Sequence, residues 1–338
     1  MKFLTVLTTL VASSLIASTQ TLRTDSLKYE VYMDVFVSST LNGDKTDIPY
    51  TTQTVVNSRP VINLFMAKSS YSYSNYEINV ALQAGEYPVV NYVNQDRDVR
   101  FIQELNAAVY SNSRKISLQV GILPSHVGYA GTVSRDNINV TSSLISDFTP
   151  YYQAGAKVQY SHNGLTAAML VLQGWQNIFE TNLAKSFGSA VKYATDDFAI
   201  AWNTIIGADD VDNEFYRYYN NMYAAYTSGN VTVVGLLDVC PAQGKLPTLY
   251  AGVYAQYRLN GVNIGLRYEN VNDRDNVIFY TLNGESFIAQ NYSLNVDYRL
   301  TDKYNIRLEY RHTSSPNAIF QSNAALLRYL TVSTNFTF

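Results

Sequence analysis

The chain ends in Leu326-Leu327-Arg328-Tyr329-Leu330-Thr331-Val332-Ser333-Thr334-Asn335-Phe336-Thr337-Phe338, where apolar and polar residues alternate. A period of two residues indicates a β-strand with one apolar and one polar face. A strand at a chain terminus normally frays or leaves an exposed edge. This one is best explained if it closes a barrel and turns its polar face inward. An ordinary strand of a β-sandwich is the alternative that the stretch alone leaves open.

The composition favours a membrane barrel over a soluble domain. Charged residues make up 15% of the 338 residues, whereas ordinary globular domains carry about 25%. Beyond the N-terminal segment, the longest apolar run covers residues 167–172, far short of the roughly 20 residues that a spanning helix needs. Alternating strands conceal their hydrophobicity, so a mean hydropathy of -0.11 is compatible with a transmembrane β-barrel.

The N-terminus has the pattern of a secretory signal peptide. Lys2 is followed by a mostly apolar stretch at 3–12 and by small residues at 13–19. This order predicts a signal peptide at residues 1–19, cleaved before Gln20, and a barrel domain at 20–338. An uncleaved anchor helix is the alternative.

Two features of the composition exclude whole classes of function. Cys240 is the only cysteine, which excludes a disulfide framework, a zinc–cysteine cluster and a CxxC redox pair. The net charge of -3 gives no electrostatic reason to expect nucleic acid as a partner. We expect neither a cofactor nor a metal site.

Alternation predicts an all-β chain of sixteen antiparallel strands, although fourteen or eighteen also fit the weak pattern of the first hundred residues. The predicted strands are 27–39, 61–73, 76–85, 103–110, 115–123, 150–161, 165–175, 185–194, 197–206, 216–227, 230–239, 248–259, 262–271, 286–300, 303–313 and 325–338. Seven short turns follow the even-numbered strands and eight longer loops follow the odd-numbered ones. Strict alternation of short and long connections is typical of outer-membrane barrels, whose short turns face the periplasm.

The late strands indicate which face lines the lumen. In 303–313, Ile306, Leu308 and Tyr310 alternate with Arg307, Glu309 and Arg311. Arg267 and Arg299 lie on the corresponding polar faces of the two preceding strands. An arginine on the lipid face costs roughly 2–4 kcal/mol at mid-membrane, so the charged face is predicted to be the lumen.

The longest predicted loop, 124–149, is the third of the series. By analogy with sixteen-stranded porins, it folds into the lumen and narrows it. We therefore predict a constriction with basic residues on the barrel wall and carboxylates on the loop, which would filter polar solutes by size and charge. The candidate residues are Arg267, Arg299, Arg307, Arg311 and Glu309 on the wall and Asp136 and Asp147 on the loop. A surface loop is the alternative, and anion selectivity does not follow because acidic residues lie among the arginines.

Three motifs resemble the β-barrel porin-2 family of Bacteroidetes and related bacteria. They are Gly121-Ile122-Leu123-Pro124-Ser125-His126-Val127-Gly128, Pro150-Tyr151-Tyr152-Gln153-Ala154-Gly155 and Gln173-Gly174-Trp175-Gln176. The resemblance implies an outer-membrane pore without catalytic residues. The final strand also resembles the C-terminal strand of outer-membrane proteins, which implies that Phe336 and Phe338 form a signal for the barrel-assembly machinery.

The predicted function is a porin in the bacterial outer membrane, a water-filled channel for passive diffusion of small polar solutes or ions. Its partners would be outer-membrane lipids, the assembly machinery and the solutes, with monomer and homotrimer both open. A non-conducting structural or adhesive barrel is the first alternative. An outer-membrane enzyme is the second, with His126 beside Ser125 as its weak candidate pair.

Overall fold

A computed structural model describes residues 25–42, 46–180, 184–208, 216–281 and 283–338. Sixteen antiparallel strands pair with their neighbours in chain order and form a closed barrel, because β1 also pairs with β16. The strands are β1 Ser26–Thr40, β2 Val61–Tyr73, β3 Tyr76–Ala84, β4 Ile102–Tyr110, β5 Ile116–Pro124, β6 Tyr152–His162, β7 Leu165–Leu172, β8 Ser186–Ala194, β9 Phe198–Ala208, β10 Tyr216–Ser228, β11 Val231–Ala242, β12 Lys245–Leu259, β13 Val262–Asp273, β14 Phe287–Thr301, β15 Tyr304–Ser314 and β16 Leu326–Thr337. No helix within the described residues is long and apolar enough to cross a membrane.

The last strand closes the barrel as its alternation predicts. Tyr32 of β1 lies opposite Thr337 of β16, and the register holds up to Thr40 and Tyr329. Polar residues of β16 such as Asn335 are buried in the lumen, whereas Val332 is exposed on the outer face. The same inward and outward alternation runs through the late strands, so the predicted assignment of faces is confirmed.

One end of the barrel, here called the turn end, carries the seven predicted short turns. The turn at Asn163-Gly164 illustrates their chemistry, because both residues have positive φ, 48° and 79°. This conformation matches the twist of the flanking strands, and Asn-Gly adopts it readily. The other end, the loop end, carries the longer connections.

One predicted long connection is wrong. Residues 240–247 were expected to form a loop, but β11 and β12 continue to Ala242 and Lys245 and leave only a two-residue turn. Cys240, whose side chain is buried, therefore lies within a strand. The predicted loop 207–215 lies largely outside the described residues, and so does the predicted signal peptide.

A β-bulge explains the irregular alternation of β2. Asp34 pairs with Leu64 and Val35 with Ile62, so Asn63 is an extra residue in β2. The bulge reverses the parity, which lets both Ile62 and Phe65 face outward. The Asp34 carboxylate accepts hydrogen bonds from Asn63 Nδ2 and the Leu64 amide, both at 2.9 Å.

The lumen has two unlike sides. The inner faces of β7–β12 are largely apolar, with residues such as Leu170, Ile205, Val234 and Leu236 buried against the third loop. The inner faces of β2–β6 carry a buried apolar cluster toward the loop end, which includes Leu64, Met66 and Tyr152, and polar or charged residues further toward the turn end. Burial of apolar surface therefore stabilises the packing of the third loop against β7–β12 and of residues 87–92 against β2–β6.

Candidate pore constriction

The third loop, residues 125–151 (L3), folds inside the barrel and begins beside two unusual glycines. Gly121 of β5 and Gly155 of β6 lie opposite each other with φ of 131° and 158°. A Cβ on Gly121 would lie 2.2 Å from the Leu105 carbonyl oxygen, and one on Gly155 would lie 2.1 Å from that of Val171. Only glycine permits this backbone approach. The two residues thus supply the local distortion of the strands from which L3 turns into the lumen.

Arg307 on the β15 wall holds the lower part of L3. Its Nε donates to Asp297 Oδ1 at 2.7 Å, and Nη2 donates to the carbonyl oxygens of Asn137 and Ile138 at 2.8 and 3.2 Å. Nη1 donates to the carbonyl oxygen of Ser134. The side chain is fully buried, at 0% exposure. Arg307 therefore fastens loop backbone to the wall.

The next stretch of L3 rises along the same wall with its backbone groups bound by side chains. The amide and hydroxyl of Thr141 donate to Glu309 at 2.7 and 2.8 Å. Arg267 Nη1 donates to the Thr141 carbonyl at 2.7 Å, and Arg311 Nη1 to that of Ser142 at 2.9 Å. The side chains of β13–β15 take the place that a neighbouring strand would occupy.

Glu269 completes this set of wall contacts, which we call the L3 latch. It accepts from the Leu144 amide at 2.9 Å and lies 3.1 Å from Arg267 Nε. The latch comprises Arg267, Glu269, Asp297, Arg307, Glu309 and Arg311 of β13–β15. Removing one partner of a buried ion pair costs about 3–5 kcal/mol, because an uncompensated charge stays behind. The latch therefore fixes L3 in a single position.

The immediate contacts of these arginines differ from those expected. The sequence predicted that wall arginines would face loop carboxylates across water. Arg267, Arg307 and Arg311 are instead buried, paired with wall carboxylates and bonded to loop carbonyl oxygens. Alternation predicted their inward faces correctly, but it contains no information on the loop that covers them.

The three remaining candidates lie apart from the latch. Arg299 is exposed near the turn end of β14. Asp136 is exposed on L3 and pairs with its neighbour Arg135 at 3.0 Å. Asp147 is buried near the loop end, where it accepts from Thr52 Oγ1 at 2.8 Å and Tyr151 OH at 2.7 Å. Burial raises the pKa of the Asp147 carboxyl, and both hydrogen bonds oppose the shift.

The lowest part of L3 contacts the wall near the turn end through Arg135. Its Nη2 lies 3.1 Å from Glu30 Oε1 of β1, and its guanidinium carbon is 5.7 Å from the ring centre of Tyr32. Glu30 lies opposite Lys68 of β2 in the strand register, and Lys68 Nζ is 2.6 Å from Glu104 Oε2. L3 thereby places the positive charge of Arg135 and the negative charge of Asp136 at the level of the Lys68–Glu104 pair.

Beside this pair, the inner wall of β2–β5 carries a row of linked polar side chains. Ser70 donates to Asn79 at 2.6 Å, Asn79 to Asn106 at 3.1 Å, and Gln119 to Asn106 at 2.6 Å. Lys157 of β6 extends the row and is half-buried. The sequence pattern of β4, where Glu104 and Asn106 alternate with apolar residues, would have revealed part of this wall. The late strands, from which the candidate wall residues were predicted, carry no sign of it.

His126 and Ser125 do not form a catalytic pair. His126 Nδ1 lies 2.7 Å from Gln153 Oε1, and Nε2 lies 2.7 Å from the Thr204 carbonyl. Ser125 Oγ instead donates to the Val127 carbonyl at 3.3 Å. The imidazole lies on Gly188, where a Cβ would be 2.6 Å from its Cε1 and Nε2. His126 thus binds the start of L3 to β6 and β9. No cluster of three metal-binding side chains occurs among the described residues.

Other loops cover the lumen at the loop end. Tyr50 packs on Phe287 and Phe320, and its ring centre is 4.8 Å from that of Phe287 and 6.0 Å from that of Phe320. Phe279 stacks on Phe287 at 4.1 Å and contacts Phe148 of L3 at 4.5 Å. A second cluster includes the six-residue helix α1 (Glu86–Asn91), whose Tyr87 is fully buried. These aromatic contacts join L3 to the loops above it.

A closed sixteen-stranded barrel with an apolar outer face, charged lumen side chains and an inserted third loop defines a porin-type protein of the bacterial outer membrane. The sequence profile of the family described as "Putative beta-barrel porin-2, OmpL-like" matches residues 26–338, and the chain belongs to this family. No curated protein sequence is significantly similar to the chain.

Several solved outer-membrane barrels share the fold. The anion-selective porin from Comamonas acidovorans has a TM-score of 0.61 at 10% identity, covering 93% of this chain and 100% of its own. OmpF of Salmonella typhi, in complex with daunomycin, has a TM-score of 0.60 at 13% identity, covering 92% and 97%. OmpT of Vibrio cholerae, folded in vitro, has a TM-score of 0.58 at 10% identity, covering 95% and 100%. At these identities the similarity concerns the fold alone.

Proposed function

We propose that the protein is a channel for passive diffusion of small polar solutes, with its water path between L3 and the inner wall of β2–β6. The observation that carries this proposal is the contrast between the β2–β6 wall and the β15 wall of the lumen. The Lys68 side chain is 34% exposed inside the barrel, whereas Arg307 and Arg311 are covered by L3. Hydrated charges mark the side along which a solute can pass.

The charges along this path have both signs. Glu30, Lys68, Glu104 and Lys157 line the wall, and Arg135 with Asp136 lies on L3. Closely spaced opposite charges order water and favour polar solutes over apolar ones, but they largely cancel as a net attraction for either ion. We therefore propose weak ion selectivity, adjustable by single residues.

Recordings in planar bilayers test the proposal. Wild-type protein should give stable conductance steps. Glu104→Gln should shift the reversal potential toward anion preference and Lys68→Met toward cation preference, because each removes one sign of charge from the path. Lys303→Gln, on an exposed turn outside the path, is the matched control. Absence of steps from correctly folded protein would overturn the proposal.

The aromatic cluster at the loop end favours a second candidate, a non-conducting structural barrel. Tyr50, Phe148, Phe279, Phe287 and Phe320 join four different loop segments above the latch. If this cover remains closed in the membrane, the barrel does not conduct. The same recordings distinguish the candidates. Our proposal assigns the chain no catalytic activity.

Biogenesis and assembly form the remaining part of the proposal. Residues 1–19 would direct export and be removed, and Phe336 with Phe338 would be read by the barrel-assembly machinery. A homotrimer is the proposed assembly, since one OmpT structure of Vibrio cholerae with the same fold is described as a trimer form. Mass spectrometry of the mature protein measures the cleavage site. Light scattering of the detergent complex measures the oligomeric state.

A further inference from the structure

Two basic side chains lie next to each other on the outer face of the barrel. His312 of β15 is directly opposite Arg328 of β16 in the strand register. Both side chains are half-buried and point away from the lumen. Residues that are directly opposite in an antiparallel pair have Cβ atoms about 4.5–5.5 Å apart, so one small ligand can reach both side chains.

The pair lies at a sharp change of polarity. Toward the turn end, the outer face continues through Tyr310 with Leu330 and then Leu308 with Val332, which are typical of hydrocarbon contact. Toward the loop end, the next row is polar on β13–β15, where it contains Asn270, Gln290 and Ser314, and ends in Leu326 on β16. His312 and Arg328 therefore lie at the depth where headgroups of the outer leaflet meet acyl chains.

Aromatic rings flank the pair along the same row. The Tyr292 ring centre is 6.3 Å from that of His312, and Tyr268 lies 5.0 Å beyond Tyr292. A depression of about 390 Å³ opens directly above, lined in part by Asn270, Gln290 and Ser314. A ligand held by the two basic side chains thus has a recess of mixed polarity on one side and an apolar surface on the other.

The charge of Arg328 is not balanced on this surface. Among the described residues, its guanidinium forms no ion pair, and its Nε is shielded from solvent without a hydrogen-bond partner. The described outer faces of β13–β16 and β1 contain no Asp or Glu, because Glu269, Asp297 and Glu309 all point into the lumen. An anionic ligand would balance this charge and accept hydrogen bonds from the other nitrogens of the guanidinium.

We propose that His312 and Arg328 form a binding site for an anionic lipid of the outer leaflet, with its phosphate on the two side chains and its acyl chains along Leu308, Leu330 and Val332. The planar guanidinium of arginine binds phosphate oxygens with two parallel hydrogen bonds, and the imidazole adds another donor. The apolar rows below the pair distinguish a lipid from a free anion. This site is separate from the proposed pore and does not depend on conduction.

Native mass spectrometry of the purified full-length protein in detergent tests the site. The probe is dipalmitoyl phosphatidic acid, with phosphatidylcholine of the same chains for comparison. The double variant His312→Gln/Arg328→Gln should bind phosphatidic acid about tenfold more weakly, since one charged hydrogen bond contributes about 1.5 kcal/mol or more. Phosphatidylcholine should bind both proteins alike.

Three controls make the test specific. Arg299→Gln removes an exposed arginine at the opposite end of the barrel and should leave lipid binding unchanged. Arg328→Lys keeps the charge and should retain most of the binding. Arg328→Gln alone, with weakened binding expected, replaces the double variant if that protein fails to fold. Excess inorganic phosphate should fail to displace the lipid, because it cannot use the apolar rows.

Four results would overturn the proposal. They are equal binding of the two lipids, undiminished phosphatidic acid binding by the double variant, displacement of the lipid by inorganic phosphate, and a variant that alters only the oligomeric state. The last result would make the surface a contact between copies of the chain.

Discussion

Glu309 accepts two hydrogen bonds from Thr141, one from the amide at 2.7 Å and one from the hydroxyl at 2.8 Å. The same carboxylate lies 3.0 Å from Arg267 Nη2. A single wall residue therefore fixes both the loop backbone and a buried cation. This arrangement makes L3 a structural part of the barrel wall.

Glu309→Gln should loosen L3. The substitution removes one of the two carboxylates that pair with Arg267 and places an NH₂ group where Thr141 needs an acceptor, at a cost of about 3–5 kcal/mol. Hydrogen exchange of residues 137–144 should become faster. Glu77→Gln, on the opposite inner wall, is the control and should leave that exchange unchanged. Unaltered protection in Glu309→Gln would contradict the role given to the latch.

Arg307→Ala should alter conduction by freeing the lower part of L3. The arginine binds the carbonyl oxygens of Asn137 and Ile138 and pairs with Asp297. Its loss leaves a buried carboxylate unpaired and releases the segment that carries Arg135. Single-channel recordings should show larger and noisier steps, and Arg311→Ala should act in the same direction. Unchanged conductance and reversal potential in both variants would contradict L3 as the constriction.

The attachment of L3 should weaken at acidic pH through His126. Burial lowers the pKa of this imidazole, with a smaller contribution from Lys157, and the bonds to Thr204 and Gln153 oppose the shift. The unfolded imidazole, with a pKa of 6.5, therefore binds its proton first. The free energy of unfolding falls as pH drops through 6.5 toward the lower pKa of the folded state, below which the loss is complete.

Hydrogen exchange of residues 124–132 at about pH 7 and about pH 5 measures this effect. Exchange, corrected for its intrinsic pH dependence, should be less protected at the lower pH in wild type. His126→Gln should flatten the difference because it has no group that titrates there. An equal pH response in that variant would exclude His126 as the cause.

Gly121→Ala should destabilise the base of L3. A Cβ there would approach the Leu105 carbonyl oxygen to 2.2 Å, at a φ of 131°. Strained backbone of this kind costs about 1–3 kcal/mol, and the steric overlap adds to it. Gly235→Ala is the matched control, since a Cβ there meets no atom within 4 Å. Thermal unfolding can be monitored by the change in gel mobility of heated barrels. Gly121→Ala should unfold at a lower temperature than Gly235→Ala.

Deletion of Phe338 should impair assembly more than conduction. The terminal residue exchanges two backbone hydrogen bonds with Val31 but leaves its side chain 64% exposed. Phe336 stacks on Tyr304 with ring centres 4.5 Å apart and remains in place. The deletion should lower the yield of membrane-inserted protein while the assembled fraction conducts normally. Full yield would argue against the proposed assembly signal.

Local alternation was sufficient to predict most of the barrel. Arg307, Glu309 and Arg311 share a face with period two, and a one-residue slip would move all three into lipid. The same argument placed the strand ends near their observed positions. It failed at Asn63, where a bulge reversed the parity, and at Cys240, where the strands continued past a break in the alternation.

The interior of the lumen could not be predicted in the same way. The contacts of Thr141 with Arg267 and Glu309 join positions separated by 126 and 168 residues, and no local pattern encodes such pairs. Every residue has a carbonyl oxygen, so hydrogen bonds to the loop carbonyl groups depend on the backbone position and not on residue identity. The loop sequence therefore does not predict them. The charges of Lys68 and Glu104 were visible in the sequence, but only the folded loop shows that L3 covers Arg307 and Arg311 and leaves the Lys68 side chain 34% exposed.

The distance along the chain between L3 and its latch also sets an order of events. L3 is synthesised well before Arg267, Glu309 and Arg311, so the latch that binds it does not exist until β13–β15 are in place. Contacts between residues so far apart in sequence form late, because the entropy of the intervening chain is lost before the contacts contribute any stabilisation. On the proposed function, the constriction would thus be the last feature of the barrel to form, and a partly inserted chain would have a wider opening than the finished one.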